Sequence, residues 1–372
     1  MKTFVPFILS LCLLCACNSK TGKPSDSTST CTGYAELISF EESDNFTLVT
    51  IQNPWKPGAI LQRYALIDRK APSTPRIDGV TVLRVPLQKV LVYSSVHAGI
   101  IGELNDGSYS SIAGVCDAQY FNIDTISKAV ANGSIADCGK SEAPSLEKII
   151  ELQPDAIILS PFMNAGYGAL ATIGVPIIEC ADYMEASPLG RAEWVKFFGL
   201  LFGKASQADS IFNSVEQHYT LLRDMAAKVE HRPKVITETV LNGIWYVPGG
   251  KSYMAQILAD AGADYPWADN NDAGSLQLDF TKVFDIAHDA EFWLVKGFGQ
   301  PVTRKSITDI YELNSHFDAF KNGGIYACDT QLTSFFTDFP FHPDMLLEEY
   351  ISIFHPSLLP GYNRRYFYRI EQ

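Results

Sequence analysis

The chain has 372 residues, 47% hydrophobic and 19% charged, enough apolar material for one large or two medium globular domains. Its 29 Lys and Arg against 42 Asp and Glu give a formal charge of −13, which argues against a basic stripe tracking phosphates and sets nucleic acid aside as a partner. The same numbers exclude collagen-like, disordered and multi-pass membrane classes.

At the N-terminus, Met1-Lys2-Thr3 precedes an apolar stretch from Phe4 to Leu14, of signal-peptide length and too short to anchor in a bilayer. Leu14-Cys15-Ala16-Cys17 resembles the bacterial lipobox. That resemblance implies a signal peptide over 1–16, cleavage before Cys17 and lipidation of Cys17; a plain signal peptide with incidental cysteines is the alternative. Residues 18–30 carry nothing to bury, so 17–33 reads as a lipidated, unstructured tether. No acidic pair follows Cys17, so a surface-export signal is not expected. The location expected is periplasmic, anchored by lipid to the membrane, with the inner membrane favoured.

Residues 34–87 form a β-rich extension, with strands expected at Phe46–Ile51 and Thr81–Val85 between Pro/Gly turns. From residue 88 to 186 the pattern changes to α/β alternation: strands at Val90–Tyr93, Ala156–Leu159 and Val175–Ile178, and a helix at Ser145–Leu152. Residues 187–229 are helical. Ser187 is a cap-type residue before Pro188, and Trp194, Phe197, Phe198, Leu201 and Phe202 recur at helical spacing. A second stripe runs through Ile211, Val215, Tyr219 and Leu222. Over 230–372 the alternation restarts, with strands at Lys234–Val240, Phe292–Val295 and Ile325–Tyr326 and helices at Ser252–Ala261 and Pro343–Phe354. Leu146–Ala156 and Phe280–Ala290 are similar at an offset of 134 residues, each a short amphipathic helix leading into a buried strand. By periodicity alone, that likeness is within reach of chance.

Beyond the first three cysteines, Cys31, Cys116, Cys138, Cys180 and Cys328 make an odd set of five, so at least one thiol stays free or pairs outside the chain. An exported location permits a Cys116–Cys138 disulfide, both residues lying in loop-like contexts. None of the five stands in a CxxC pair, and no HxxxH occurs, so a structural metal site has no support in the spacing.

The segment Leu-Glu-Lys-Ile-Ile-Glu-Leu-Gln-Pro-Asp-Ala-Ile-Ile-Leu (146–159) resembles the most recurrent motif of the periplasmic binding proteins serving siderophore, haem and cobalamin importers of the ABC type. Gly243–Tyr253 with Leu258–Gly262 is similar to that family's second-domain opening, and Tyr183–Trp194 to a Bacteroidetes subgroup. The resemblance spans roughly residues 88–370 and leaves 34–87 unplaced. It implies an α/β fold of two Rossmann-like lobes joined by a single long helix, with ligand held in the cleft between them. The function implied is capture of an iron chelate (siderophore or haem) or a corrinoid by a monomeric protein, and its delivery to an ABC permease. No catalytic residue, resident cofactor or bound metal ion of the protein's own is expected, the ligand itself being the metal chelate.

Loops at the strand ends supply the candidate ligand contacts, since inter-lobe pockets combine aromatic walls with a few polar groups. They are Tyr93, Ser95, His97, Tyr120, Phe162 and Asn164 from the first lobe, and Trp245, Tyr246, Lys296 and Phe336 from the second. Any single one of these aromatics could equally be core, with Trp245 and Tyr93 the foremost candidates to face the cleft, and His97 could be an ordinary polar loop histidine. For an anionic chelate, Lys296, Arg304, Arg364 and Arg365 are the candidate cations. The family resemblance places permease docking on Glu147. The matching second-lobe residue is Thr281, so either Asp279, two places earlier, is the acidic substitute there or docking is one-sided; otherwise each is a solvated surface carboxylate.

Two other readings stand beside this one. A binder of bare Zn or Mn ions needs three or four converging His/Asp/Glu ligands. An exported α/β enzyme needs a nucleophile and base; no GxSxG occurs, and Gly249-Gly-Lys-Ser252 lacks the first glycine of a phosphate loop, Trp245 standing there.

Overall fold

The computed structural model describes residues 29–30, 33–164 and 166–371. Cys17, Cys31, the expected signal peptide and most of the expected tether lie outside the described residues. Among those described, no helix is long and apolar enough to cross a membrane.

The extension is a twisted sheet. Strands Ile38–Ser43, Phe46–Gln52 and Ile60–Asp68 run antiparallel, and Thr81–Val85 joins the last of them in parallel. Its inner face buries Ile38, Phe40, Val49, Ile51, Tyr64 and Leu66. This face has a partner, which answers where residues 34–87 go. The buried Tyr64 hydroxyl donates to the Ile177 carbonyl at 3.0 Å and accepts from the Glu179 N–H at 2.9 Å, fastening the sheet to an edge strand of the first lobe. Arg69 adds a 2.6 Å ion pair to Asp155, whose carboxylate also accepts the N–H groups of Gln88 and Lys89. Extension, both lobes and linker thus share one continuous apolar core.

In the first lobe five parallel strands lie in the order Ile177–Glu179, Ala156–Leu159, Val90–Val92, Ile112–Val115, Ala136–Asp137. The strand earliest in the chain is central and later strands add on both sides, so the winding direction reverses between Val90–Val92 and Ala156–Leu159. A sheet so wound opens a crevice at the carboxyl ends of those two strands.

The second lobe is a smaller version. Val235–Thr237, Phe292–Gly297 and Ile325–Asp329 are parallel, and Phe367–Arg369 closes one edge antiparallel. A separate antiparallel sheet of Val240–Leu241, Ile244–Pro248 and Ser275–Leu278 rises from its first strand. Asn242 and Gly243 make the tight turn, with φ of 52° and 83°. A two-residue hairpin matching the strand twist needs positive φ at both positions, which Asn-Gly tolerates.

The linker is one long helix preceded by two short ones. Ser187 caps Pro188–Glu193 by accepting the Gly190 N–H, with Pro188 at the first helical position. Val195–Phe202 ends at Gly203, whose φ of 67° turns the chain before Ala205–Ala226 begins. That last helix has 22 residues, about 33 Å of rod at 1.5 Å per residue. Two buried carboxylates of this region hold the incoming chain. Glu193 accepts the N–H groups of Gly33, Tyr34 and Ala35 at 2.8–3.0 Å, and Glu185 those of Glu36 and Leu37 at 3.0 Å together with the Trp194 indole at 2.8 Å. Burial works against both charges. For Glu193, Lys196 and the three backbone donors outweigh it and lower its pKa, whereas Glu185 is left raised.

Candidate functional site

At the first-lobe crevice, a pocket of about 500 Å³ is lined by Tyr93, Ser94, Ser141, Leu159, Phe162 and Tyr167. Tyr93 and Ser94 follow one crossover strand and Ser160 the other, so the sheet's winding puts them there. Phe162 projects with 67% of its surface exposed. Ser94 rather than Ser95 lines the pocket and caps the helix Ser95–Leu104; Ser95, half-buried, has already entered the helix. Asn164 is exposed with a φ of 60° and is not part of this pocket.

A larger cavity of about 810 Å³ opens beside it, between the segment Tyr183–Met184 and the second lobe. Its walls include Tyr246, Tyr253, Phe335, Phe336 and Phe339, with Glu238 and Lys296 as its charged residues. The Tyr183 hydroxyl donates to the Pro161 carbonyl, tying this wall to the first-lobe pocket. Three of the expected second-lobe contacts, Tyr246, Lys296 and Phe336, therefore come together; sequence reasoning missed Glu238, Tyr183 and Tyr253 as lining residues. Glu238 directly follows the strand Val235–Thr237, so the rule that strand ends carry sites was the available signal.

Two expected contacts are corrected. Trp245 is fully buried, stacked on Trp293 at 5.6 Å, with its indole N–H donating to the Thr237 carbonyl at 2.9 Å. The strand Ile244–Pro248 alternates, so Trp245 and Val247 enter the core while Tyr246 faces the cavity. His97 is also buried, in the first turn of its helix, against Phe198 and 3.3 Å from Asp182. It belongs to a chain beneath the cavity. Asp182 accepts from the Arg191 guanidinium at 3.0 Å, and Arg191 donates at 2.7 Å to the hydroxyl of Tyr253, a wall residue. Burial raises the pKa of Asp182, but Arg191 and His97 more than offset this and leave it lowered.

The remaining candidates lie outside both pockets. Tyr120 is 57% exposed and packs edge-on against Phe298 of the other lobe at 5.8 Å, while the Asn122 amide donates to the Thr333 carbonyl. These contacts join the lobes at one side. Arg304 lies over Phe320 and Arg364 over Tyr326, and Arg365 pairs with Glu348, so none lines either pocket. Cys116 and Cys138 are buried free thiols, not a disulfide. They fill the small apolar cluster under the first-lobe sheet with Leu91, Ile149 and Ile157, and burial pushes the Cys116 thiol up to about 12. Glu147 is exposed in the first turn of Leu146–Leu152. Asp279 is exposed too, but its carboxylate caps Phe280–Ala287 by accepting the Lys282 N–H at 2.8 Å.

A further tie between lobes pairs a histidine with a carboxylate. His342 meets Glu103 of the first-lobe helix at 2.8 Å. Burial alone would lower its pKa; Glu103, Asp344 and Asp338 outweigh burial and raise it above the usual 6.5. A raised folded-state value means the stabilisation is complete below the unfolded-state value and is lost as pH rises through the folded one. Glu103→Gln is expected to lower Tm by about 1–2 °C near pH 6 and by less near pH 9. Equal losses at both pH values in a thermal melt would show that charge plays no part.

Among the described residues, no three His, Cys, Asp or Glu side chains gather as a metal site. The profile of the family described as periplasmic binding protein matches residues 113–332. An uncharacterized lipoprotein of Methanocaldococcus jannaschii is 28% identical over 358 residues, covering 90% of this chain and 84% of that one. A second from that organism is 21% identical, covering 83% and 80%. The fold is similar to that of a periplasmic haem-binding protein from Pseudomonas aeruginosa, at TM-score 0.58 and 16% identity over 77% of this chain and 99% of that one. It is also similar to the TroA-like periplasmic binding protein FepB from Veillonella parvula, at TM-score 0.57 and 17% identity over 78% and 96%. With two α/β lobes around a cleft and more than half its length matched, the chain belongs to the periplasmic binding protein family, a family of solute-binding proteins.

Proposed function

We propose that the protein captures an iron chelate (siderophore or haem) or a corrinoid between its lobes and delivers it to an ABC permease. The observation that carries this reading is the cavity of about 810 Å³ lined by six aromatic residues from both lobes, with a second aromatic pocket on the first lobe. A void of that size suits a large ligand with flat or apolar faces, and aromatic pairs add about 0.5–1.5 kcal/mol each beyond burial. A bare metal ion calls for converging carboxylates and imidazoles, which the described residues do not bring together. The fold relatives include proteins titled for haem binding, which agrees with this cargo class.

Permease docking falls to Glu147 on the first lobe, with Asp279 its counterpart on the second. Because Asp279 is engaged as a helix cap, Glu147 is the freer of the two. Charges of this kind orient an encounter more than they tighten it. Attachment is through a lipidated Cys17, at the periplasmic face of the inner membrane; the lipid anchor agrees with relatives described as lipoproteins.

Titration of the purified protein with haemin, dicyanocobinamide and ferric siderophores, followed by calorimetry, tests the reading. One class is expected to saturate at micromolar or tighter affinity, and Tyr246→Ala or Phe336→Ala to weaken it by about tenfold. No saturation by any of them, with thermal stabilisation by Zn or Mn ions instead, would replace the chelate by a bare ion.

A further inference from the structure

The larger cavity holds two charges of opposite sign, and they neutralise each other. Lys296 is the cation among its lining residues, and its ammonium is paired directly to the carboxylate of Glu238 on the same wall. Both side chains are about three-quarters buried. Arg191, behind the wall, is committed to Asp182 and Tyr253. The charged residue of the first-lobe pocket is Glu142. Among the described residues, the combined lining therefore has no cation to spare and carries an excess of negative charge.

The pair is built into the fold. Glu238 has a φ of 66°, a left-handed conformation that a non-glycine residue adopts only when its surroundings enforce it. Here two buried indoles do so. Trp245 donates to the Thr237 carbonyl at 2.9 Å and Trp293 to that of Glu238 at 2.7 Å, while the Glu238 N–H donates to Leu294 at 2.9 Å. Lys296 sits on the adjacent strand Phe292–Gly297, with its ammonium 5.8 Å from the Phe335 ring centre.

From this arrangement, and resting on the chelate reading above, we infer that the Glu238–Lys296 pair is a charge filter selecting uncharged or cationic chelates over polyanionic ones. A polyanion that recruited Lys296 would leave the Glu238 carboxylate unpaired in a part-buried wall and close to the ligand's own charge. An uncharged ligand leaves the pair intact and can accept from the ammonium and donate to the carboxylate at once. Juxtaposed like charges are an effective means of rejecting a wrong partner.

The test compares two ferric chelates of similar bulk, an uncharged tris-hydroxamate and a trianionic tris-catecholate, with dicyanocobinamide as an uncharged corrinoid. Calorimetry is run on the full-length protein and on Glu238→Gln. The wild type is expected to bind an uncharged ligand at least about tenfold more tightly than the trianion. Glu238→Gln should raise trianion affinity by about tenfold while leaving the uncharged ligand within about threefold. Lys296→Gln, which frees the carboxylate, should widen the discrimination and serves if Glu238→Gln does not fold. Binding of both charge types with equal affinity, or discrimination unmoved by either variant, overturns the filter and leaves the chelate reading standing. Failure of every chelate to bind any of the three proteins overturns both.

Discussion

Replacing Arg191 with methionine is expected to cost about 3–5 kcal/mol of unfolding free energy at neutral pH, read from urea denaturation. The side chains of Arg191 and Asp182 are 7% and 1% exposed, so removing the guanidinium strands a carboxylate that water cannot reach. His97 remains within 3.3 Å, yet the Tyr253 hydroxyl and the cation lying 4.9 Å from its ring centre are parted as well. The pH dependence identifies the cause. With its folded-state pKa lowered, Asp182 contributes stability that is present above the ordinary carboxylate value and lost as pH falls through the folded one. In Arg191→Met the bare carboxylate takes up a proton more readily, so the deficit should shrink as pH falls toward about 4–5. Adding Asp182→Asn should recover part of it. A deficit independent of pH and untouched by the second substitution would mean that packing, not the stranded charge, was lost.

Trp245→Ala is expected to destabilise by a similar amount, about 3–5 kcal/mol, for an apolar reason. The indole is stacked on Trp293, lies against Phe280 and Phe317, and supplies the buried donor to Thr237. Truncation leaves a void in a ring cluster too interlocked to collapse around it. Its neighbour gives the contrast. Tyr246 is half-exposed on the cavity side, so Tyr246→Ala should cost no more than about 1 kcal/mol of stability and act on ligand affinity instead. Should denaturation midpoints of the two variants coincide, the assignment of opposite faces to these adjacent residues would be wrong.

That contrast also marks where sequence reading reached its limit. The helix starts were legible because they depend on local chemistry: Ser187 before Pro188, Ser252 before Tyr253–Asp260 and Pro343 opening Pro343–Phe354 are all where the residue types put them. The strands Phe46–Gln52 and Thr81–Val85 followed from alternation and turn residues. Which face of a strand meets a cavity is different, because it depends on what packs against it. In the sequence Trp245 is the foremost candidate wall, and it gives way to its neighbour Tyr246 because Trp293 and Phe317 lie behind it. The sequence reads His97 as a loop residue because its partners, Asp182 and Phe198, lie 85 and 101 residues away. Glu238 escaped notice since a single carboxylate after a strand has no motif; the left-handed turn and the lysine on the next strand distinguish it only in three dimensions. The β-rich extension gave its strands readily and its place not at all, as that place rests on the Tyr64 hydroxyl and on Arg69, each reaching a residue far along the chain.

The grip of Glu193 and Glu185 on residues 33–37 also settles how a mechanical load enters the molecule. Tension along the chain ahead of residue 33 meets first the short pairing of Ser29–Thr30 with Phe40–Glu41 at the edge of the extension sheet, and then five backbone N–H groups held by the carboxylates of Glu193 and Glu185. Neither lobe's own parallel sheet is on that path. A pull applied at this point bears on the extension's edge and on the segment where the first lobe passes into the linker, so such a load need not pry the jaws apart.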